Sequence, residues 1–306
     1  MSLDELWQVQ RDFFDVVRAE KSDLTDQQFC YSLVLHLHHE VTELLDAIGG
    51  PWKTHIDDSN ILRRPQVLGE VVDITKLAWE VAQVFEVTPD EFRTAFLEKS
   101  QVIEERRKSD RFLKSKEQPE MIVFDLDGVL SFYPEWFFRF INWAEGTRFK
   151  VEDLKSPDDL WTQIGITIEK YQSLKKKFWE SGDASTMPTN ADAVDFYMFC
   201  KRKGLATVLV TSRDRKGLEK MELDSYKWLK SAGFQFDGVF FDLDKARFIK
   251  RHFEHVVMVV EDNAFEVARM KEAGLPAHCL KRPYNKEGET FDDLKDILNK
   301  ILYERL

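Results

Sequence analysis

The sequence predicts an all-α helical bundle followed by an α/β domain, and three observations carry that expectation. Residues 1–110 place apolar residues at helical spacing and show no strand pattern. From residue 121 onward, short apolar runs alternate with helical stretches, the pattern of a parallel sheet covered on both faces. Between them, residues 111–119 end in Lys114-Ser115-Lys116-Glu117-Gln118-Pro119, a polar and weakly periodic stretch that reads as a linker.

The first helix spans 1–20. Leu3, Leu6, Val9, Phe13, Val16 and Val17 recur at helical period, and Ser2 with Glu5 has capping-box spacing. A second helix opens at Thr25, paired with Gln28 in the same sense. It runs to Ile48 and stops at Gly49-Gly50-Pro51. A third runs from about Gln66 to Phe85. Thr88-Pro89-Asp90-Glu91 combines an N-cap, a proline at the first helical position and a box acid, so a fourth helix starts there and continues to about Lys108. Four helices with short connections form a bundle.

In the second half, strands are expected at 121–126, 205–211, 236–241, 256–260 and 277–280, with helices at 191–203, 218–232, 244–253 and 263–273. Residues 131–188 interrupt the alternation. They are aromatic and helical in pattern (Trp136, Phe137, Phe138, Phe140, Trp143, Trp161, Phe178, Trp179) and read as a helical cap inserted after the first strand.

Composition narrows the function. A chain of 306 residues with 43% hydrophobic and 32% charged residues is globular and long enough for two domains. Its net charge of −11, without a basic tail, argues against nucleic acid as the main partner, because such binding is dominated by phosphate neutralisation. Small nucleotides, held by a few cations and metal ions, fit that charge. Cys30, Cys200 and Cys279 form no CxxC and read as reduced thiols. The start lacks a basic-then-apolar signal pattern and no run approaches a membrane span, so a cytoplasmic protein is expected.

Two sites stand out. On the second and third helices, Glu40 with Glu43 and Glu70 with Asp73 are spaced i,i+3, so each pair presents two carboxylates on one helix face. Solvated acids at this spacing are common. Here Glu70 falls inside the apolar arc of Val67, Ile74, Leu77 and Val81, and Glu40 borders that of Leu33, Leu37, Val41 and Leu44. Carboxylates on a buried face need a partner, and four of them favour a hard divalent cation such as Mg²⁺. His36, His39 and Glu40 also share a face, a lesser zinc alternative that the neighbouring acids make unnecessary.

The pattern ExxE, 26 residues, then ExxD resembles the all-α NTP pyrophosphatase superfamily, which includes MazG-like enzymes and dimeric dUTPases, over residues 25–107. The turn Gly50-Pro51-Trp52-Lys53 is similar to the dUTPase branch. The resemblance implies hydrolysis of a nucleoside triphosphate to monophosphate and pyrophosphate. It makes Glu40, Glu43, Glu70 and Asp73 metal ligands and Lys53, Lys99 and Arg106 phosphate contacts. His39 stands where many MazG-like members carry a further Glu. A homodimer through the helical domain is implied too, in keeping with the wide apolar arc of the third helix.

The second site begins at Phe124-Asp125-Leu126-Asp127-Gly128, where an apolar strand delivers two carboxylates and a glycine. Three further motifs follow in order. Val208-Leu209-Val210-Thr211 is a strand ending in a hydroxyl, Lys245 opens a helix, and Val256 to Val260 leads into Glu261-Asp262. Successive strand ends open on one edge of a parallel sheet. The set resembles the haloacid dehalogenase-like phosphohydrolases over residues 121–281. The resemblance implies Asp125 as the nucleophile, Asp127 as acid/base, and Mg²⁺ on Asp125, the Asp127 carbonyl and Asp262. Thr211 and Lys245 then hold the phosphoryl oxygens, Ser212 and Arg213 add substrate contacts, and Glu261 stands behind the metal. Lys250, on the same helix, is the alternative to Lys245.

In series, the two sites would take a (deoxy)nucleoside triphosphate to monophosphate and then to nucleoside and phosphate. The alternatives are a phosphatase acting on polynucleotide ends and a helical domain serving only as a dimerisation or nucleotide-sensing module.

Overall fold

The computed structural model describes residues 3–47, 64–115, 117–154, 160–213, 219–285 and 287–304. They form two compact units, Met1–Glu98 and Lys99–Leu306.

The helical unit contains α1 (Leu3–Glu20), α2 (Asp26–Ala47), α3 (Arg64–Val84) and the start of α4 (Pro89–Leu113). α2 packs along α3, and α1 packs on α3. Two capping boxes form where the sequence places them. Thr25 and Gln28 exchange backbone-to-side-chain bonds of 2.9 and 3.3 Å, as do Thr88 and Glu91 at 2.8 and 3.3 Å. The core is small: Phe14, Phe29 and Leu33, ringed by Val17, Leu24, Leu77, Val81 and Val84. Trp7 adds a second aromatic contact with Trp79 and Phe92. On α1 the stripe Leu6, Val9, Phe13 and Val16 is exposed, while Trp7, Gln10 and Phe14 turn inward. Periodicity allows either arc of that helix to face the core, and the aromatic arc is the one buried.

The α/β unit is built on five parallel strands in the order β3-β2-β1-β4-β5. They are β1 (Met121–Phe124), β2 (Ala206–Thr211), β3 (Gly238–Phe241), β4 (Val256–Glu261) and β5 (Ala277–Cys279). The sheet is buried on both faces. Ile122, Phe124 and Leu209 join one core, and Met121, Val123 and Val208 join the other. Near-continuous apolar strands are what two covered faces require.

Between β1 and β2 the chain inserts α5 (Tyr133–Glu145), a one-turn helix Leu160–Gln163 and α6 (Ile168–Ser181), then returns through α7 (Ala191–Arg202). This insertion is held by aromatic packing, with Phe178 at its centre against Tyr133, Phe137, Phe140 and Trp179. The remaining crossovers are α8 (Glu219–Ser231), α9 (Lys245–His252) and α10 (Ala264–Glu272), with α11 (Phe291–Tyr303) at the end.

The division between units falls inside α4 rather than in the 111–119 stretch. The reason is packing: Val102 is buried in one core of the α/β unit and Phe112 packs on the other. Ser109 of α4 also donates to the Val239 carbonyl (3.1 Å) and accepts from its N–H (2.9 Å), covering part of edge strand β3.

Candidate active site of the α/β unit

Register places the chemistry. Phe124 lies opposite Leu209 on one side and Val260 on the other, so β1, β2 and β4 end nearly level. Asp125 leaves β1 there, Thr211 ends β2, and Glu261-Asp262 end β4. The chain steps from β1 towards β3 on one side and lies beside β4 and β5 on the other, so the carboxyl edge at β1 is a topological switch point.

Asp125 is 6% exposed, and Lys245 Nζ lies 3.1 Å from its Oδ1. The same ammonium donates to Glu261. Oxygens of Asp125, Glu261 and Asp262 come within 4.8 Å of one another. Glu261 also accepts from the N–H groups of Asp262 (3.1 Å) and Asn263 (3.2 Å), and Tyr284 donates to Asp262.

Burial drives the electrostatics. It pushes the Asp125 carboxyl up to about 7, with Glu261 adding to the rise and Lys245 opposing it. Burial likewise lifts Glu261 to about 7 against the pull of Lys245, and Asp262 to about 6 with Asp125 adding. Burial alone would lower the Lys245 ammonium, but Asp125 and Glu261 together hold it well above its ordinary value. Three buried carboxylates around one ammonium leave negative charge uncompensated. Their hard oxygen donors and mutual spacing fit a divalent cation.

Asp127 is placed differently. Arg213 grips it through Nε to Oδ2 at 2.9 Å and Nη2 to Oδ1 at 2.5 Å, and Ser131 Oγ donates to Oδ1 at 3.2 Å. Arg213 is itself fixed by Ser225 Oγ at 2.7 Å and by the Trp179 ring, 4.6 Å from its guanidinium carbon. The two aspartates of the DxDG stretch therefore have separate partners, one a lysine and the other an arginine.

Gly128 has φ of +81°. A Cβ there would overlap the Asp262 carboxylate and come within 2.7 Å of the Tyr284 hydroxyl. Only glycine fits this turn.

Of the sequence-derived residues, Asp125, Lys245, Glu261 and Asp262 are brought together, and Asp127 joins Arg213. Thr211 is buried at the end of β2, and Ser212 is exposed beside it. Lys250 is exposed on α9, whereas Lys245 is 4% exposed and 3.1 Å from Asp125. Sequence reasoning did not reach Tyr284, Ser131 or Ser225, and it placed Trp179 only in the packing of the cap. Tyr284, Ser225 and Trp179 enter through contacts distant in sequence, Ser131 through a bond to Asp127 four residues back, and none is part of a motif.

In the helical unit, carboxylate oxygens of Glu40, Glu43 and Glu70 also lie within 4.8 Å of one another. Desolvation first, then Glu43, Glu40 and Asp73, hold Glu70 above its ordinary value. Asp73 lies 3.7 Å from Lys76, and His39 lies 3.3 Å from Glu43. Glu40, Glu70 and Asp73 are half-buried and Glu43 is exposed, a wetter setting than the apolar arcs imply. Lys53 lies outside the described residues. Lys99 is exposed, and Arg106 pairs with the buried Glu222 in the α/β unit, Nε to Oε1 at 2.8 Å.

No helix among the described residues is long and apolar enough to cross a membrane. No protein-family model matches the chain, and no curated protein does. Among solved structures, it is similar to a hydrolase from Streptococcus pneumoniae TIGR4, at 15% identity and a TM-score of 0.41, over 60% of this chain and 100% of that one. It is similar to a HAD hydrolase, family IA, variant 3, from Entamoeba histolytica HM-1:IMSS, at 16% identity and a TM-score of 0.42, over 60% and 99%. A HAD family hydrolase from Deinococcus radiodurans R1, with bound phosphate and sodium, is similar at 15% identity and a TM-score of 0.39, over 60% and 89%.

Proposed function

We propose that the chain is a bifunctional Mg²⁺-dependent nucleotide hydrolase whose α/β unit is a phosphomonoesterase. The observation that carries this reading is the setting of Asp125. It is a buried carboxylate at a parallel-sheet switch point, 3.1 Å from a buried lysine and grouped with two further acids. Asp125, Asp262 and the Asp127 backbone carbonyl would hold the metal. Bound there, it neutralises the ester phosphate, so that a carboxylate can approach phosphorus.

The residues then divide the work. An Asp125 oxygen attacks phosphorus, and the bond from phosphorus to the ester oxygen breaks. Asp127 gives a proton to that leaving oxygen. A water then attacks the aspartyl-phosphate, Asp127 takes its proton, and the Asp125–phosphorus bond breaks to release phosphate. Lys245 and Thr211 hold the phosphoryl oxygens, and Arg213 fixes the orientation of Asp127.

For the helical unit we propose cleavage of a nucleoside triphosphate to monophosphate and pyrophosphate, supported by the Glu40, Glu43 and Glu70 group. Its product is a monoester of the kind the second site would take. A homodimer through this unit is supported by the exposed Val9, Phe13 and Val16, and light scattering of the intact protein tests it.

The functional test is incubation with each deoxynucleoside triphosphate and Mg²⁺, followed by separation of products. Nucleoside and both phosphate products are expected from the wild type. Asp125→Asn should stop at monophosphate, and Glu70→Gln should leave triphosphate uncut while sparing monophosphate hydrolysis. Monophosphate accumulation that Asp125→Asn does not alter sinks the coupled reading.

A second reading gives the phosphatase nucleic-acid ends. It is favoured by one feature, a groove of about 400 Å³ on the helical insertion lined by Trp136, Arg139, Phe140, Trp143 and Asp183, with Trp143 80% exposed. An aromatic surface suits stacked bases. Faster turnover of phosphorylated oligonucleotides than of mononucleotides selects it.

A further inference from the structure

Three polar atoms of the helical insertion are buried without a hydrogen-bond partner among the described residues: Glu135 Oε2 and the Tyr133 hydroxyl on α5, and the Trp179 indole nitrogen on α6; the last two are donors. These two belong to one stack. The two rings are 5.9 Å apart with planes 19° from parallel. That stack meets the active site directly, because Arg213, which grips Asp127, lies over Trp179 at 4.6 Å.

Buried polar groups are nearly always paired, so two orphans on one stack call for an explanation. An indole N–H only donates, and a phenol kept protonated in a buried site is also a donor. Burial holds the Tyr133 phenol well above its ordinary value, and both Asp127 and Arg213 act on it electrostatically. Their missing partner must therefore accept hydrogen bonds beside the residue that protonates the leaving oxygen. The leaving group occupies that position in a phosphomonoester.

Resting on the phosphomonoesterase reading above, we propose that Tyr133 and Trp179 are specificity-determining residues that donate to oxygens of the leaving group. The substrate class is thereby a phosphate ester of a sugar-type alcohol, whose hydroxyl and ring oxygens can accept from the two donors. An aryl ester offers no such acceptor. A nucleotide and a free sugar phosphate both offer such a sugar, and the arms of the test separate the two.

The test uses the full-length protein with Mg²⁺ and three esters: a deoxynucleoside 5′-monophosphate, ribose 5-phosphate and phenyl phosphate. Tyr133→Phe and Trp179→Phe remove each donor and keep an aromatic ring. Each should lower kcat/KM by roughly 10- to 100-fold on both sugar esters and by less than about threefold on phenyl phosphate, the loss set by leaving an acceptor unpaired. Equal effects on all three esters overturn the proposal. Loss on the nucleotide alone puts the acceptor on the base and overturns the assignment to the sugar.

Melting of the ligand-free protein gives a second readout. Tyr133→Phe should leave Tm unchanged or raise it, since it removes an unpaired buried hydroxyl. A fall in Tm means that the hydroxyl is bonded within the protein and overturns the proposal whatever the kinetics. A wild type inert toward all three esters overturns the phosphatase reading and this assignment with it. Activity with uniform effects overturns only the assignment.

Discussion

Arg213 and Asp127 are joined through both carboxylate oxygens, 86 residues apart in sequence, in a bidentate pair whose arginine is 5% exposed. A planar guanidinium fits a carboxylate in this way and a lysine does not. Arg213→Lys therefore keeps the charge and loses the geometry. We expect kcat on a good substrate to fall by about 100-fold, the scale of a misplaced catalytic group. Arg213→Gln should do no worse than Arg213→Lys. Near wild-type kcat in the lysine variant would remove the orienting role.

Among the described residues, Lys245 is the one buried cation in contact with Asp125 and Glu261. Removing it leaves buried carboxylates facing each other. Lys245→Met should cost about 3–5 kcal/mol in urea unfolding at neutral pH, the range for breaking a buried pair from one side. Pairing it with Asp125→Asn should return part of that loss. Lys250→Met, on the exposed side of the same helix, should leave the midpoint unchanged. A larger effect at Lys250 than at Lys245 would exchange their roles.

The acid trio sets a pH dependence on the metal-free protein. Asp125 and Glu261 stand near 7 and Asp262 near 6, all above their ordinary values. A carboxyl group raised on folding holds its proton more tightly in the folded state. It therefore favours folding at low pH, and that advantage is lost as pH climbs from about 4, its unfolded value, to about 7. Melting in EDTA should give a lower Tm at pH 8 than at pH 5 for the α/β unit. Mg²⁺ should raise Tm more at pH 8 than at pH 5, and Asp125→Asn should flatten the EDTA profile. Equal Tm values at the two pH values in EDTA would contradict the charge balance described.

Gly128 allows no side chain. Alanine there combines a left-handed backbone, at about 1–3 kcal/mol, with overlap on Asp262. Gly128→Ala should reduce activity by about 100-fold or more through displacement of Asp262. Calorimetry should show weaker Mg²⁺ binding at the α/β site. Unchanged binding and turnover would mean that the Asp262 position is not needed.

Much of this was legible in the sequence because it is local. The apolar runs that became β1, β2 and β4 carry their terminal acids and hydroxyl with them. The Thr25/Gln28 and Thr88/Glu91 boxes need only three residues each. What was not legible depends on residues meeting across the fold. Nothing about Tyr284 points to Asp262, 22 residues earlier, nor about Ser225 to Arg213. Periodicity also leaves a choice where a helix has two apolar arcs. On α1 the arc of Trp7 and Phe14 is buried and that of Val9 and Phe13 is exposed. The polar stretch at 111–119 marked a change of composition, but packing by Val102, Ser109 and Phe112 carries α4 into the second unit.

The Ser109–Val239 pairing decides how that unit behaves when cut free. β3 is an outer strand, and bare N–H and C=O groups on such a strand recruit strands from other molecules. A fragment begun at residue 120 discards Ser109 and leaves Val239 open to self-association. One begun at Lys99 keeps the helix over the strand and should stay dispersed.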